Sequence, residues 1–373
     1  MAPDENASHP VCAGKGAGYW TDQAAGIESR CAEAGGAPMT PSKSTAQTEM
    51  PAKDAYAVRP LRCPEAQDID ENLGAEVNRR LMSWIEQVGI FPGKQTAVRD
   101  SNFGRFAMLC HRDTDDPDRL LLSAQCFAAL FAVDDYYCDD ERTGSVPQLV
   151  GPRLSLALAA MEPAYLPVPF SVELDLALLR DPVLVALRAY MHRVAQFSTP
   201  SQLARVRHET IAMFVTMTAE ATWRIEGMVP AIWEYLAQRQ INSFLPCMSL
   251  IDVIGGYELP ANIYSSPAVR RVTVLAASAT MIANDLYSAR KESMAQIGDF
   301  NLPSLLAREQ GGSLSDAMSR SADIHDEVVR LYEEADQALR AGSSSLLLRY
   351  LNGVQTWLAG NLEWHKHSGR YQV

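Results

Sequence analysis

From Arg59 onward the hydrophobic positions recur at helical spacing. Val77, Leu81, Trp84, Ile85 and Val88 repeat at steps of three and four, the apolar stripe of an amphipathic helix. Carried along the chain, the same pattern predicts helices at about 73–88, 101–110, 117–138, 146–160, 172–178, 182–197, 200–225, 229–255, 267–291, 302–309, 314–341 and 343–368. Proline or glycine interrupts the pattern at Pro163, Pro167-Val-Pro169, Pro182, Pro200, Pro230, Pro260 and Gly311-Gly312, where a missing N–H or a freer backbone ends a helix. Few segments alternate with a period of two. The expected fold is an all-α helical bundle. Residues 1–58 break the pattern. They are rich in Ala, Gly, Pro, Ser and Thr with few large apolar side chains, so they are expected to form a disordered N-terminal extension ahead of one domain over 59–373.

A chain of 373 residues that is 47% hydrophobic can bury one large core. Its net charge of −12 argues against nucleic acid and anionic membranes as partners, and it means that an anionic substrate must come with cations. The longest apolar runs, around 120–133 and 271–283, fall short of the ~18 residues that read as a membrane span. The first 20 residues lack the basic start and apolar centre of a secretory signal, so a cytoplasmic location is expected. Cysteines at 12, 31, 63, 110, 126, 138 and 247 form no C-x-x-C pair and fit free thiols in a reducing compartment. His365 and His367 stand too close together for a zinc site, and no cysteine pair accompanies them.

Two clusters carry candidate chemistry. Residues 284–292 read Asn-Asp-Leu-Tyr-Ser-Ala-Arg-Lys-Glu, which puts Asn284, Ser288 and Glu292 four apart on one helix face. An amide, a hydroxyl and a carboxylate in a row suit magnesium, a hard cation that takes oxygen ligands and shares them with phosphates. A solvated polar face would also read this way. Lys291, beside Glu292, offers a second cation. The other cluster, Asp-Asp-Tyr-Tyr-Cys-Asp-Asp at 134–140, follows the apolar run Cys126–Val133. Asp135 and Asp139 share a face, and Asp134 points to the side shared with Phe131 and Cys138. Helix C-termini disfavour anions, and crowded carboxylates repel one another, so such a cluster needs cations to neutralise it. Arg239 lies in a long apolar stretch that meets Pro246 seven residues later, where a kink would free backbone carbonyls.

Together the clusters resemble those of the class I terpene synthases, over about residues 60–373. In that family an aspartate-rich helix faces an Asn-Ser-Glu helix across the mouth of an all-helical bundle. Between them they hold three magnesium ions and the substrate diphosphate. The resemblance implies metal ligation by Asp134, Asp135, Asp139, Asn284, Ser288 and Glu292. It also implies diphosphate binding by Arg239, 45 residues before Asn284, by Lys291, and by the terminal pair Arg370-Tyr371. Of the aromatic residues that could shield a carbocation, Phe131 and Trp364 match pocket positions of the family. Trp223, Phe244 and Trp357 are further candidates, for which core packing is the competing reading. Asn242 and Ser243 stand where the family breaks a helix to aim oxygens at the cation.

Within the family the chain looks most like the branch that makes 2-methylisoborneol and 2-methylenebornane. Its inner Tyr136-Tyr137-Cys138, the stretch Arg239-Gln-Ile-Asn-Ser-Phe-Leu-Pro-Cys247 and the irregular N-terminal extension carry that likeness. Many bacterial sesquiterpene cyclases have Asp and Gly where this chain has Asn242 and Ser243. The implied reaction is magnesium-dependent cyclisation of 2-methylgeranyl diphosphate, with a geranyl diphosphate C-methyltransferase upstream; a homodimer is compatible with it. Cyclisation of geranyl or farnesyl diphosphate, prenyl chain elongation and a non-catalytic cation-binding scaffold remain the alternatives.

Overall fold

The computed structural model describes residues 53–139, 145–295 and 300–371, and every regular element among the described residues is helical. Helix α1 (Glu71–Val88) starts after Asp70, whose carboxylate accepts from the Leu73 amide, and stops at Gly89 in the left-handed region. Helices α2 (Gln95–Ser101) and α3 (Phe103–Cys110) follow. Asp116 and Pro117 open α4 (Pro117–Val133), which is buried on almost every side from Leu120 to Val133 and so forms the centre of its layer. Next come α5 (Pro147–Met161), α6 (Phe170–Leu179) and α7 (Pro182–Phe197). Helix α8 (Pro200–Glu226) begins with a reciprocal capping box between Thr199 and Gln202. A broken region carries α9 (Ile232–Arg239), α10 (Leu245–Met248), α11 (Ile251–Ile254) and α12 (Ala261–Tyr264). The chain then completes α13 (Pro267–Ala295), α14 (Leu302–Gln310), α15 (Leu314–Arg340) and α16 (Ser345–His367).

Packing places the two polar clusters at one end of this bundle. Helix α4 lies against α1, α3 and α7, α13 lies against α15 and α16, and α16 also packs on α3. The short α10 touches α4, α8 and α13, so the helices carrying the clusters wall a common space. A ladder of rings fills the far side of that space. Phe106 stacks on Phe127 with centroids 4.1 Å apart and on Trp364 at 4.2 Å, and it meets Phe244 and Trp357 edge-on.

The structure departs from the sequence pattern in four places. The helix expected over 117–138 is α-helical only to Val133 and widens into a π-helical turn over Asp134–Asp139, a form that collects at functional sites. The helix expected over 229–255 is not continuous. After Arg239 the side chains capture backbone carbonyls: Arg239 Nη1 donates to Asn242 C=O at 2.8 Å and Ser243 Oγ to Gln240 C=O at 2.8 Å. Pro246 then has no N–H to resume the ladder. Helix α2 was not expected; it is a short turn of mixed polarity. Finally, chain ahead of Arg59 also packs against the bundle. A 3₁₀ turn at Lys53–Tyr56 buries Tyr56, whose hydroxyl donates to Ser293 Oγ at 2.9 Å, and Arg59 pairs with Asp323 and Asp326 on α15.

The α1–α3 crossing depends on one missing side chain. A methyl group at Gly104 would overlap the backbone of Asn78, and the Gly104 amide donates to Asn78 Oδ1 at 3.2 Å. Gly104→Ala should therefore lower stability by about 1–3 kcal/mol in urea titration, despite the better helix propensity of alanine. Unchanged stability would mean that the two helices can move apart freely.

Candidate active site

A cavity with about 550 Å³ of open space, its mouth included, lies between α4, α8, α10 and α13. Its described walls are Phe127, Leu130 and Phe131 from α4, Met213 and Met217 from α8, Phe244 and Cys247 from the broken region, and Met281 from α13. Polar groups join only at the rim: Asp134, Arg239, Asn242, Ser243 and Asn284. The sequence reading did not single out Met213 and Met217; spacing of four puts them on one face of α8 but does not say that the face borders a void.

Asp134 and Asp135 open the π-helical turn directly after the apolar wall. Arg370 reaches Asp135 with both terminal nitrogens, Nη2 to Oδ1 at 2.9 Å and Nη1 to Oδ2 at 3.4 Å. Burial alone would raise the Asp135 carboxyl; Arg370 and Lys291 outweigh it and hold the group below the usual carboxylate range. The turn is tied from outside by Arg224, which donates to the Cys138 carbonyl and pairs with Glu220 at 2.6 Å. The Asp139 side chain, Asp140 and the loop to Gly144 lie outside the described residues.

Across the mouth, Asn284, Ser288 and Glu292 stand along α13. The Asn284 amide accepts from Arg239 Nη2 at 3.2 Å and donates to the Tyr371 hydroxyl at 2.9 Å. Its NH₂ also lies 3.1 Å from His365 Nε2. Ser288 is buried, and its hydroxyl has no hydrogen-bond partner among the described residues. A buried hydroxyl without a partner costs about 1–3 kcal/mol, so its position needs an explanation. Glu292 accepts from Asn301 Nδ2 at 2.7 Å, and Asn301 in turn caps α14. An amide oxygen, a hydroxyl and a carboxylate at steps of four along α13 are oxygen donors of the kind magnesium takes.

Arg239 ends α9 at the cavity rim. Burial works against its charge, but the Asp285 carboxylate beside it holds the guanidinium above its usual range. Asp285 is almost fully buried and engaged on both oxygens. It accepts from Arg239 Nε at 3.2 Å and Nη2 at 3.0 Å, from the Tyr235 hydroxyl at 2.6 Å and from the Leu302 amide at 3.1 Å. The sequence displayed Asp285 inside the motif but gave it no part. One residue from Asn284 on a helix means roughly 100° around the axis, which turns it toward α9.

The aromatic candidates divide. Phe131 and Phe244 line the cavity, and Asn242 and Ser243 lie at its rim. Phe131 is also stacked on Phe103 at 5.2 Å, with the Arg370 guanidinium 4.2 Å from its centroid. Trp357 and Trp364 are buried behind the wall, and Trp364 Nε1 donates to the Ser101 carbonyl at 2.7 Å. Trp223 sits in a separate cluster with Phe300, 5.8 Å between centroids, and does not line this cavity. Aromatic identity could not separate these cases, because helical spacing does not say which of two packed faces borders a void.

Residues 125–330, more than half of the chain, match the family "Terpene synthase family 2, C-terminal metal binding". The 2-methylisoborneol synthase of Streptomyces griseus is 37% identical over 308 residues, which cover 82% of this chain and 70% of that protein. That of Saccharopolyspora erythraea is 34% identical over 316 residues, covering 84% of this chain and 89% of that protein. A crystal structure of 2-methylisoborneol synthase from Streptomyces coelicolor A3(2), in complex with Mg2+ and geranyl-S-thiolodiphosphate, superposes with a TM-score of 0.78 at 34% identity. It covers 84% of this chain and 98% of that one.

The Ser288 hydroxyl, without a hydrogen-bond partner among the described residues, supplies a test. Ser288→Ala should unfold, in metal-free buffer, within about 1 kcal/mol of the parent or above it, because it removes an unsatisfied polar group. The same variant should lose the stabilisation that magnesium plus inorganic diphosphate gives the parent in a thermal scan. A variant that still gains it would remove Ser288 from the ligand set.

Proposed function

We propose a substrate and a mechanism for a chain that belongs to terpene synthase family 2, and so is a metal-dependent class I terpene synthase, a lyase acting on a prenyl diphosphate. The substrate is 2-methylgeranyl diphosphate. The product is a methylated bornane-type monoterpenoid, 2-methylisoborneol by water capture or 2-methylenebornane by proton loss. The observation that carries this reading is that Asp134, Arg239 and Asn284 border one apolar cavity, with Arg239 bonded to Asn284 and Arg370 to the neighbouring Asp135. The similarity to 2-methylisoborneol synthases supports the choice of substrate.

Magnesium ions, three in this proposal, would neutralise the diphosphate and make it a better leaving group. Asp134, Asp135 and Asp139 would hold them from one side, and Asn284, Ser288 and Glu292 from the other. Arg239, Lys291, Arg370 and Tyr371 would bind the diphosphate oxygens. Ionisation breaks the allylic C–O bond, and the electron pair leaves with the diphosphate. Donors already fixed in place stabilise that developing charge without reorganising. Asp285 contributes by keeping Arg239 charged and aimed at the rim. Phe131, Phe244 and the methionines would keep water from the allylic cation, and a ring face attracts such a cation by roughly 0.5–2 kcal/mol. Asn242 and Ser243 at the helix break are the nearby oxygens.

The test is gas chromatography–mass spectrometry of the volatiles formed from 2-methylgeranyl, geranyl and farnesyl diphosphate, with and without magnesium. One bicyclic eleven-carbon product from the methylated substrate is expected. A clean product from geranyl or farnesyl diphosphate instead would overturn the substrate. Phe244→Leu should leave the magnesium requirement unchanged while spreading the product into several. An unchanged single product would place that ring away from the cation.

A further inference from the structure

We propose that His365 is a positioning residue: an imidazole that fixes the orientation of the Asn284 amide and locks Tyr371 onto it. The inference rests on the reading of Asn284 as a metal ligand, and it begins from three contacts that agree. His365 Nδ1 lies 2.8 Å from the Asn361 carbonyl one turn earlier on α16. A carbonyl only accepts, so Nδ1 carries the hydrogen and Nε2 is left as the acceptor. Nε2 is 3.1 Å from the Asn284 amide nitrogen, which must therefore be the NH₂ side. On the opposite side, Arg239 Nη2 only donates, and it stands 3.2 Å from Asn284 Oδ1. Both neighbours demand the same amide orientation, with the oxygen on the side of Arg239 at the cavity rim.

The ring also holds the chain end. His365 stacks on Tyr371 with centroids 5.1 Å apart and planes 16° from parallel. The Tyr371 hydroxyl takes the second hydrogen of the Asn284 amide at 2.9 Å. One imidazole thus joins α16, α13 and the terminal Arg370-Tyr371. Because Arg239 takes the amide oxygen, the NH₂ faces Nε2, which must offer its lone pair. Without that acceptor the amide can turn over, and an NH₂ group would face where a cation needs oxygen. Outer partners of this kind typically change metal affinity by about 10–100-fold.

The test compares His365→Phe, which keeps an aromatic ring but loses the acceptor, with His365→Gln, whose amide oxygen restores one. Isothermal titration with magnesium and inorganic diphosphate is the readout, with thermal unfolding in metal-free buffer as the control. His365→Phe should weaken magnesium–diphosphate binding about tenfold or more while it stays folded, and His365→Gln should recover most of the loss. Asn284→Ala is measured alongside. Full binding in Asn284→Ala would sink the metal-ligand reading itself. Loss in Asn284→Ala with parent-like binding in His365→Phe would overturn only the positioning role. Should His365→Phe fail to fold, parent-like affinity in a folded His365→Leu would do the same, and a weakened one would uphold it.

Discussion

Carboxylates gather at one end of an apolar bundle, and nothing but positive charge can keep them there. An ion taken out of water loses several kcal/mol even after the protein relaxes around it, so each buried carboxylate must find a cation. Asp285 has Arg239 and Asp135 has Arg370. These pairs do more than satisfy charge. The first holds the end of α9 beside α13, and the second draws the chain terminus over the mouth of the cavity. The arginines proposed to bind the diphosphate therefore stand charged and oriented beside carboxylates of the two clusters.

The same constraint explains where the regular structure fails. The α-helical ladder gives way at Asp134, where the carboxylates begin, and again after Arg239, where side chains take the carbonyls that a helix would use. Both breaks border one cavity. Ser288 is a third local cost, a buried hydroxyl that no described neighbour satisfies. Two interrupted helices bordering one cavity mark the region where regular structure gives way to chemistry.

Behind the polar rim the ring ladder sets the shape. Phe106 stands between Phe127 and Trp364, and Trp357 backs Phe244, so the lining rings rest on rings fully out of water. Such packing leaves little freedom for the wall to adapt, because a close-packed interior transmits any displacement. The terminal helix α16 contributes Trp357, Trp364 and His365 to this backing, which makes it part of the site although only its last residues approach the mouth.

Much of this was legible in the chain itself. Periodicity of 3.6 located most of the long helices to within a few residues, since their caps are written in Asp70, Asp116, Thr199 and Ser344 and their ends in Gly89, Gly227 and Gly311. Spacing of four placed Asn284, Ser288 and Glu292 together. Those are local facts, and a helix is a local structure. What only the tertiary structure decided concerns distance between elements. Helical spacing offered Trp223 and Phe244 on equal terms, and the fold put one in a separate cluster and the other on the cavity. It expected one helix over 229–255, and the structure interrupts it after Arg239, where side chains take the backbone carbonyls. Asp285 and His365 carried no visible signal, because their roles lie in groups 46 and 81 residues away, across helix interfaces. A sequence records which side chains are present and which face of a helix they share. Which faces meet, and where a void remains between them, is set by the packing of the whole chain.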